Sequence, residues 1–190
     1  MLNLILEILA VITAIIYLVL AAKLNVKCWY AAIISSLIFF YIYTDAKLIM
    51  EAYLQIFYIV MSIYGWTQWK KHKSNSIKFT IMRWSKYKHF AAISFIIFIS
   101  LISKELLNKY TNAEFAFIDS VTSWGAVVTT YMVAKKIIEN WFYWFVIDSI
   151  LVGLFIFKGL YFTAALFVIY LFIIIIGYKS WKEKLISAHD

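Results

Sequence analysis

Seven long apolar stretches constrain this chain more than any other feature of its sequence. Charged or polar residues separate them, and most approach the roughly 20 helical residues that cross a bilayer core of about 30 Å. A water-soluble fold with 65% apolar and 15% charged residues would expose far more apolar surface than soluble monomers do. We therefore predict an all-α integral membrane protein with seven transmembrane helices. The predicted spans are residues 4–22, 26–44, 46–69, 89–103, 114–134, 138–157 and 159–178.

Individual stretches raise two further questions, the number of helices and the presence of a signal peptide. The fourth stretch is short and the fifth is polar, so six helices remain an alternative. The first stretch lacks a basic region before it and is followed by Lys23 and bulky residues, so we expect no cleavable signal peptide.

The distribution of basic residues predicts the orientation. Lysine and arginine accumulate on the cytoplasmic side of membrane proteins. With seven helices, 14 of the 18 basic residues lie on the side of the C-terminus, which predicts an outside N-terminus and a cytoplasmic C-terminus. This topology explains the net charge of +8, so no nucleic-acid partner is expected. The 14 residues are Lys23, Lys27, Lys70, Lys71, Lys73, Lys78, Arg83, Lys86, Lys88, Lys135, Lys136, Lys179, Lys182 and Lys184; Lys47, Lys104, Lys109 and Lys158 lie opposite.

The chain also contains an internal repeat. Shifting it by 112 positions aligns residues 1–72 with 113–184 without a gap. Matches of tryptophan and glycine are harder to obtain by chance than matches of aliphatic residues. The matched pairs are Lys23 with Lys135, Trp29 with Trp141, Tyr58 with Tyr170, Gly65 with Gly177, Trp69 with Trp181 and Lys70 with Lys182, while Glu7 meets Asp119.

The repeat predicts a three plus one plus three architecture. Each repeat has three helices, so a fourth helix must cross the membrane before the second repeat begins in the same orientation. Parallel repeats of this kind occur in transporters whose substrate site lies between the halves. The predicted segments are a first repeat (1–72), a basic cytoplasmic loop with linker helix four (73–112), a second repeat (113–184) and a cytoplasmic tail (185–190). Without proline, the bends are expected at Gly65, Gly125, Gly153 and Gly177.

Polar side chains inside the apolar stretches mark the candidate site. Such residues are costly in lipid and face a bundle interior or a cavity. Asn140, Trp144 and Asp148 recur every four residues along one helical stripe, with Trp141 beside them. The fifth stretch contributes Asp119 and Thr122, and the third contributes Gln55, Tyr58 and Ser62 at helical spacing.

Structural roles compete with ligand binding for several of these residues. Trp66, Trp69, Trp181 and Tyr178 lie at helix ends, where aromatic side chains anchor helices at the membrane interface. Serine and threonine hydroxyls in membrane helices commonly bond the preceding turn or a neighbouring helix. Asp148 and Gln55 could bond neighbouring helices, but a cavity role is favoured for both.

The chemistry of this set suits a flat organic cation. Indole faces and carboxylates attract such a cation, and amides and hydroxyls can bond its polar substituents. A phosphate is a poor guest, because no basic residue lies at midplane depth. Catalytic motifs and metal-ligand spacings are absent from the sequence, so neither an enzyme nor a cofactor or metal is expected, and Cys28 is interpreted as a packing residue.

The sequence resembles the PnuC family of bacterial vitamin transporters. The resemblance is carried by LQIFYIVMSIYGWTQW (54–69), FIDSVTSWGAVV (117–128), ENWFYWFVIDSI (139–150) and FKGLYFTAALFVIYLFIIIIGYKSW (157–181). It implies a SWEET-like fold in the bacterial inner membrane, assembled as a homotrimer. The implied activity is facilitated diffusion of nicotinamide riboside, with trapping by phosphorylation in the cytoplasm.

The resemblance and the polar positions together give the predicted substrate-binding set. Family members for thiamine or riboflavin leave those vitamins as alternatives, and Asp148 replaces an asparagine of some riboside members. A proton-coupled carrier and a membrane assembly protein without transport are two further alternatives. The set comprises Gln55, Tyr58, Trp66, Trp69, Asp119, Thr122, Asn140, Trp141, Trp144 and Asp148.

Overall fold

The computed structural model describes residues 2–46, 49–74, 81–110 and 115–186. Within these ranges the chain forms seven α-helices, one for each predicted apolar stretch. They are α1 (Leu2–Ala22), α2 (Cys28–Asp45), α3 (Ile49–Ser74), α4 (Lys86–Tyr110), α5 (Ala116–Ala134), α6 (Asn140–Phe157) and α7 (Tyr161–Ile186). Lys47, Lys78 and His189 lie outside the described residues, as do parts of the predicted 73–112 linker and 185–190 tail.

The helix ends differ from the predicted spans where charged residues follow an apolar run. Helix α4 continues beyond residue 103 to Tyr110, and α7 continues beyond residue 178 to Ile186. A span prediction stops at the first charged residue, whereas lysine and glutamate propagate a helix readily. The fourth helix is therefore long enough to cross a membrane, although its apolar stretch is short.

Five of the described helices, α1, α2, α4, α6 and α7, are long and apolar enough to cross a membrane. Helices α3 and α5 fall outside this group because they carry many of the polar residues of the chain. Helix α5 buries Ser120, Thr122, Thr129 and Thr130, and α3 buries Gln55 and Ser62. These two helices thus contribute much of the polar interior.

Six of the helices pack in a closed ring. Around it α1 contacts α2, α2 contacts α3, α3 contacts α5, α5 contacts α6, α6 contacts α7, and α7 returns to α1. Among the described helices, α4 stands outside the ring: it packs along α5 and touches α6 through His89, which bonds the hydroxyl of Tyr143 at 3.0 Å. The α3–α5 and α7–α1 contacts join the first three helices to the last three.

The chain turns in the same way after α1 and after α5. Leu24 and Lys136, 112 positions apart, both adopt a φ of 55°, which is uncommon outside glycine. The amide of Asn25 bonds the carbonyl of Leu20 at 2.9 Å, and the amide of Ile137 bonds that of Met132 at the same distance. These bonds close a Schellman-type helix end at both places.

The residues that lead into α4 hold the second of these turns. The amide of Met82 donates to the carbonyl of Lys136 at 2.9 Å, and the amide of Ile138 donates to the carbonyl of Met82 at 3.0 Å. Beside them, the amide of Trp84 bonds a carboxylate oxygen of Glu139 at 3.3 Å. This segment therefore ties α4 to the connection between α5 and α6.

Candidate functional site

Four buried indoles meet at the end of the ring where most lysines lie, which we call the lysine-rich end. Trp29 and Trp69 make an edge contact with ring centroids 5.4 Å apart, and Trp141 and Trp181 make another at 5.4 Å. Trp69 also contacts Trp181 at 6.2 Å. The four side chains, here named the tryptophan cluster, are at most 2% exposed and pack together inside this end of the bundle.

Hydrogen bonds from the cluster cross between the two halves of the ring. The indole N–H of Trp69, on α3, lies 3.2 Å from the carbonyl of Ala134 at the end of α5. The indole N–H of Trp181, on α7, donates to the carbonyl of Ala21 at the end of α1 over 3.0 Å. Each half thus supplies an indole to the other half. Because both indoles are fully buried, neither is an interfacial anchor, which removes that interpretation for Trp69 and Trp181.

Two glycines provide the space for the other two indoles. A methyl group at Gly65 would overlap the ring of Trp29, and one at Gly177 would overlap the ring of Trp141. These glycines were expected as points of bending. The structure shows a packing role for both, since any larger side chain would displace an indole, and bending there stays a prediction.

Asp148 lies deeper in the bundle than the cluster. It is seven residues from Trp141 along α6, about 10 Å along the helix axis, and is 4% exposed. Tyr170 of α7 lies within electrostatic reach of this carboxylate. Tyr58, 112 positions before Tyr170, is likewise partly buried on α3. The carboxylate of Asp148 and the phenol of Tyr170 therefore form a polar level above the tryptophan cluster.

A further polar group lies nearer to the opposite end. Gln55 is 14 residues from Trp69, about 21 Å along α3, and it is buried. Asp119 lies about 22 Å from the Ala134 end of α5 and is half-buried. The hydroxyl of Thr122 donates to the carbonyls of Ile118 and Asp119 in its own helix, which is the structural role considered for it.

The predicted set is therefore spread along the bundle. Trp69, Asn140 and Trp141 lie at the lysine-rich end, Asp148 and Tyr58 at intermediate depth, and Gln55, Asp119 and Thr122 beyond them. A small ligand cannot contact all of these levels at once. The residues therefore do not surround one point.

Trp66 and Trp144 lie beside the tryptophan cluster without belonging to its buried centre. Both are partly buried and pack against it. The ring of Trp66 holds the ammonium group of Lys70 at 4.8 Å and contacts the half-exposed Tyr30. Trp66 therefore faces the periphery on at least one side, and an anchoring role remains open for it.

Asn140 and two of the indoles have polar atoms without partners. The amide nitrogen of Asn140 bonds the carbonyl of Ile137 at 2.6 Å. Within the described part of the chain, its oxygen and the indole nitrogens of Trp29 and Trp141 are buried without a hydrogen bond. Unpaired buried polar atoms are costly and uncommon. They supply an acceptor and two donors at the lysine-rich end.

One basic side chain is buried among the described residues. Lys136 is 3% exposed, and its ammonium nitrogen lies 5.6 Å from the ring centroid of Trp69. Burial lowers the pKa of Lys136 to about 8. Its neighbour Lys135 behaves differently, because a hydrogen bond from its ammonium group to the Tyr64 hydroxyl raises the pKa of Lys135.

Sequence reasoning missed three residues of this arrangement. Trp29 and Tyr170 were seen as repeat matches but were not placed in the site, and Trp181 was interpreted as an anchor. The repeat itself was the signal that could have found them, since their partners Trp141, Tyr58 and Trp69 were all in the predicted set.

The known proteins to which this chain is similar are transporters. A family profile described as nicotinamide mononucleotide transporter matches residues 4–183. The nicotinamide riboside transporter PnuC of Escherichia coli is 23% identical, over 85% of this chain and 78% of that protein. The riboflavin/roseoflavin transporter RibM of Streptomyces davaonensis is 24% identical, over 90% of this chain and 81% of that protein. The crystal structure of a vitamin B3 transporter PnuC superposes with a TM-score of 0.75 at 18% identity, covering 95% of this chain and 81% of that one.

Proposed function

This chain belongs to the nicotinamide mononucleotide transporter family, and from that premise we propose that it carries nicotinamide riboside across the bacterial inner membrane. The family match confirms the resemblance to PnuC transporters that the sequence motifs indicated. A transporter is not an enzyme, so the absence of catalytic motifs agrees with this role. Uptake by facilitated diffusion, followed by phosphorylation inside the cell, completes the proposal.

The observation that carries the choice of substrate is the burial of Asp148. A carboxylate that is 4% exposed in an apolar bundle needs compensation. The positively charged pyridinium ring of nicotinamide riboside supplies it by charge pairing. The phenol of Tyr170 near Asp148 and the indoles below it offer faces for the same cation.

The arrangement of basic residues favours the riboside over the mononucleotide named by the family profile. A phosphate needs a cation or a cluster of N–H donors. Lys136 is the one buried basic side chain among the described residues, and it lies at the lysine-rich end, away from Asp148. A phosphate placed beside Asp148 would be repelled.

We further propose that the two three-helix units move relative to each other in alternating access, with α4 as the linker. Three observations support a repeat related by 112 positions. Leu24 and Lys136 have equal φ angles, Gly65 and Gly177 each leave room for an indole, and each half donates an indole hydrogen bond to the other. The excess of lysines supports placing the tryptophan cluster at the cytoplasmic end. In this arrangement the cluster closes the cytoplasmic gate.

The second candidate substrate and the oligomeric state are proposed from the relatives of this chain. The similarity to RibM favours riboflavin as the second candidate substrate. Riboflavin is uncharged, so it would leave Asp148 without a counter-charge, and we rank it below the riboside. The proposed assembly is a homotrimer, which the mass of the detergent-solubilised protein tests.

The direct test is a tryptophan-fluorescence titration of the purified protein with nicotinamide riboside, thiamine and riboflavin in parallel. Trp141 and Trp144 are expected to report binding of the riboside. Uptake by proteoliposomes with and without a pH gradient accompanies it. Saturable riboside binding with uptake independent of the gradient supports the proposal. Preference for another vitamin contradicts the substrate, and dependence on the gradient contradicts facilitated diffusion.

A further inference from the structure

We propose that residues 81–85 form a strap that fastens the linker helix α4 to the second three-helix unit, so that α4 moves with α5, α6 and α7 as one body. The inference rests on the proposed function in taking the two units to move relative to each other. It adds which unit carries the linker. It also concerns residues outside the predicted substrate-binding set, and distance measurements can test it without any measurement of transport.

The backbone of the strap pairs with the turn between α5 and α6. The amide of Met82 donates to the carbonyl of Lys136 at 2.9 Å, and the carbonyl of Met82 accepts from the amide of Ile138 at 3.0 Å. The two segments run parallel at this bridge. The amide of Trp84 bonds a carboxylate oxygen of Glu139 at 3.3 Å. Because hydrogen bonds restrict direction as well as distance, these three fix the strap against the turn.

Aromatic side chains continue the attachment into the first turn of α4. The rings of Trp84 and His89 lie 5.6 Å apart. The ring of His89 stacks on that of Tyr143 in α6 at 5.8 Å, and its Nδ1 lies 3.0 Å from the hydroxyl of Tyr143, within hydrogen-bond distance. The beginning of α4 is therefore held to α6 as well as to the turn before α6.

The remainder of α4 also contacts the second unit. Phe95 makes an edge contact with Trp124 of α5 at 6.2 Å, and the indole N–H of Trp124 donates to the hydroxyl of Ser103 at 2.9 Å. Within the described ranges, α4 packs with none of α1, α2 and α3. Movement of the first unit would thus leave these contacts of α4 in place, whereas movement of α4 away from α5 and α6 would break them.

The first unit shows that the turn itself does not require a strap. Leu24 lies 112 positions before Lys136 and has the same φ of 55°. In the described part of the chain, no segment beyond this turn and its two helices pairs its backbone with Leu24 or Val26 as Met82 does with Lys136 and Ile138. The same turn therefore forms without a third segment. What the strap adds is the attachment of α4.

The strap also reaches the buried contact between the two units. Ile81 is 3% exposed and belongs to the same buried core as the tryptophan cluster. Its apolar contact is non-directional and can be exchanged for another when the units move. The hydrogen bonds of Met82 and Trp84, in contrast, all lead to the second unit. When the cluster opens, Ile81 is expected to stay with the second unit.

Distances between spin labels test the inference on the full chain in lipid nanodiscs. The labels are attached through Tyr87→Cys in α4 and Lys179→Cys in α7, both exposed positions at the lysine-rich end, and Cys28→Ala removes the single native cysteine. We expect double electron–electron resonance to give one narrow distance, the same with and without nicotinamide riboside. A second pair, Tyr87→Cys with Lys27→Cys, spans the two units and is expected to change its distance when the riboside is added.

The double variant Glu139→Ala/Tyr143→Ala removes the two side chains of the second unit that bond the strap and α4. We expect a second, different distance between positions 87 and 179 in this variant, because the beginning of α4 can then leave α6. Glu105→Ala/Tyr161→Ala is the matched control. It removes an exposed carboxylate and an exposed phenol elsewhere and is expected to leave the distance unchanged.

A single distance between positions 87 and 179 with the strap intact, joined by a second distance in the strap variant, supports the inference. Several distances with the strap intact, or an unchanged single distance in the folded strap variant, overturn it. If the double variant does not fold, Tyr143→Phe decides. The amides of Met82 and Ile138 should then exchange with solvent about fivefold faster, and unchanged exchange overturns the inference. An unchanged distance between positions 27 and 87 would instead contradict the proposed movement of the units and leave the attachment of α4 standing.

Discussion

The substitution Asp148→Asn tests the charge pairing on which the proposed substrate depends. Asparagine has nearly the same shape as aspartate, so the change removes the charge and little else. Unit charges about 4 Å apart attract by about 4 kcal/mol at an effective dielectric constant near 20. The amide dipole of asparagine retains part of that attraction. We therefore expect a loss of about 2 kcal/mol, or about a 30-fold rise in the Kd for nicotinamide riboside.

The assay compares a charged and a neutral ligand on the same protein. Calorimetric titration with nicotinamide riboside and with its reduced, uncharged dihydropyridine form separates charge pairing from packing. We expect the neutral ligand to change its Kd by less than about threefold. Asp119→Asn is the matched control, since it removes a carboxylate that is half-buried and lies toward the other end of the bundle. Equal weakening of both ligands by Asp148→Asn, or the same selectivity loss in Asp119→Asn, would refute the charge-pairing role.

Four other predictions follow from the same geometry. Gly65→Ala and Gly177→Ala each place a methyl group in the ring of a buried indole, so each should lower stability by about 1–3 kcal/mol, seen as a lower Tm. Gly153→Ala, where a methyl group meets nothing within 4 Å, should be neutral or stabilising. Nicotinamide mononucleotide should bind at least about tenfold more weakly than the riboside in competition titrations, and equal affinity would contradict the argument from phosphate. Trp144→Phe should weaken riboside binding without lowering Tm by more than a few degrees, whereas a membrane assembly protein would tolerate this change without any binding effect.

The helices were predictable because a membrane-spanning helix requires an apolar stretch of about 20 residues, which can be seen directly in the sequence. Each predicted stretch became a helix, and the bounds differ most in α4 and α7, where the helix continues into charged residues. The contacts between helices were less predictable. The bond from Trp181 to the carbonyl of Ala21 joins residues 160 positions apart, and position at the end of a helix does not reveal which way a side chain faces.

The sequence predicted which polar residues lie in the interior of the bundle, but not the level along the bundle at which each one lies. Helical spacing correctly placed Asp148 and Asn140 in the interior of α6. The same reasoning treated Gln55 as part of one site with them, although it lies about 21 Å from the tryptophan cluster along α3. Spacing along one helix gives its buried face, whereas the relative level of residues on different helices depends on packing. The 112-residue repeat did carry information on relative level, because it pairs Trp69 with Trp181 and these two indoles are in contact.

The crossed arrangement of the tryptophan cluster argues that its opening is cooperative. Trp69 is bonded to the end of α5, Trp181 is bonded to the end of α1, and the two indoles contact each other. Neither half can move away without loosening both bonds. Each bond contributes about 0.5–1.5 kcal/mol net, and each aromatic pair contributes a similar amount. The total is several kcal/mol, which corresponds to a minor open population of about 1% or less. The proposed gate is therefore expected to open as a unit.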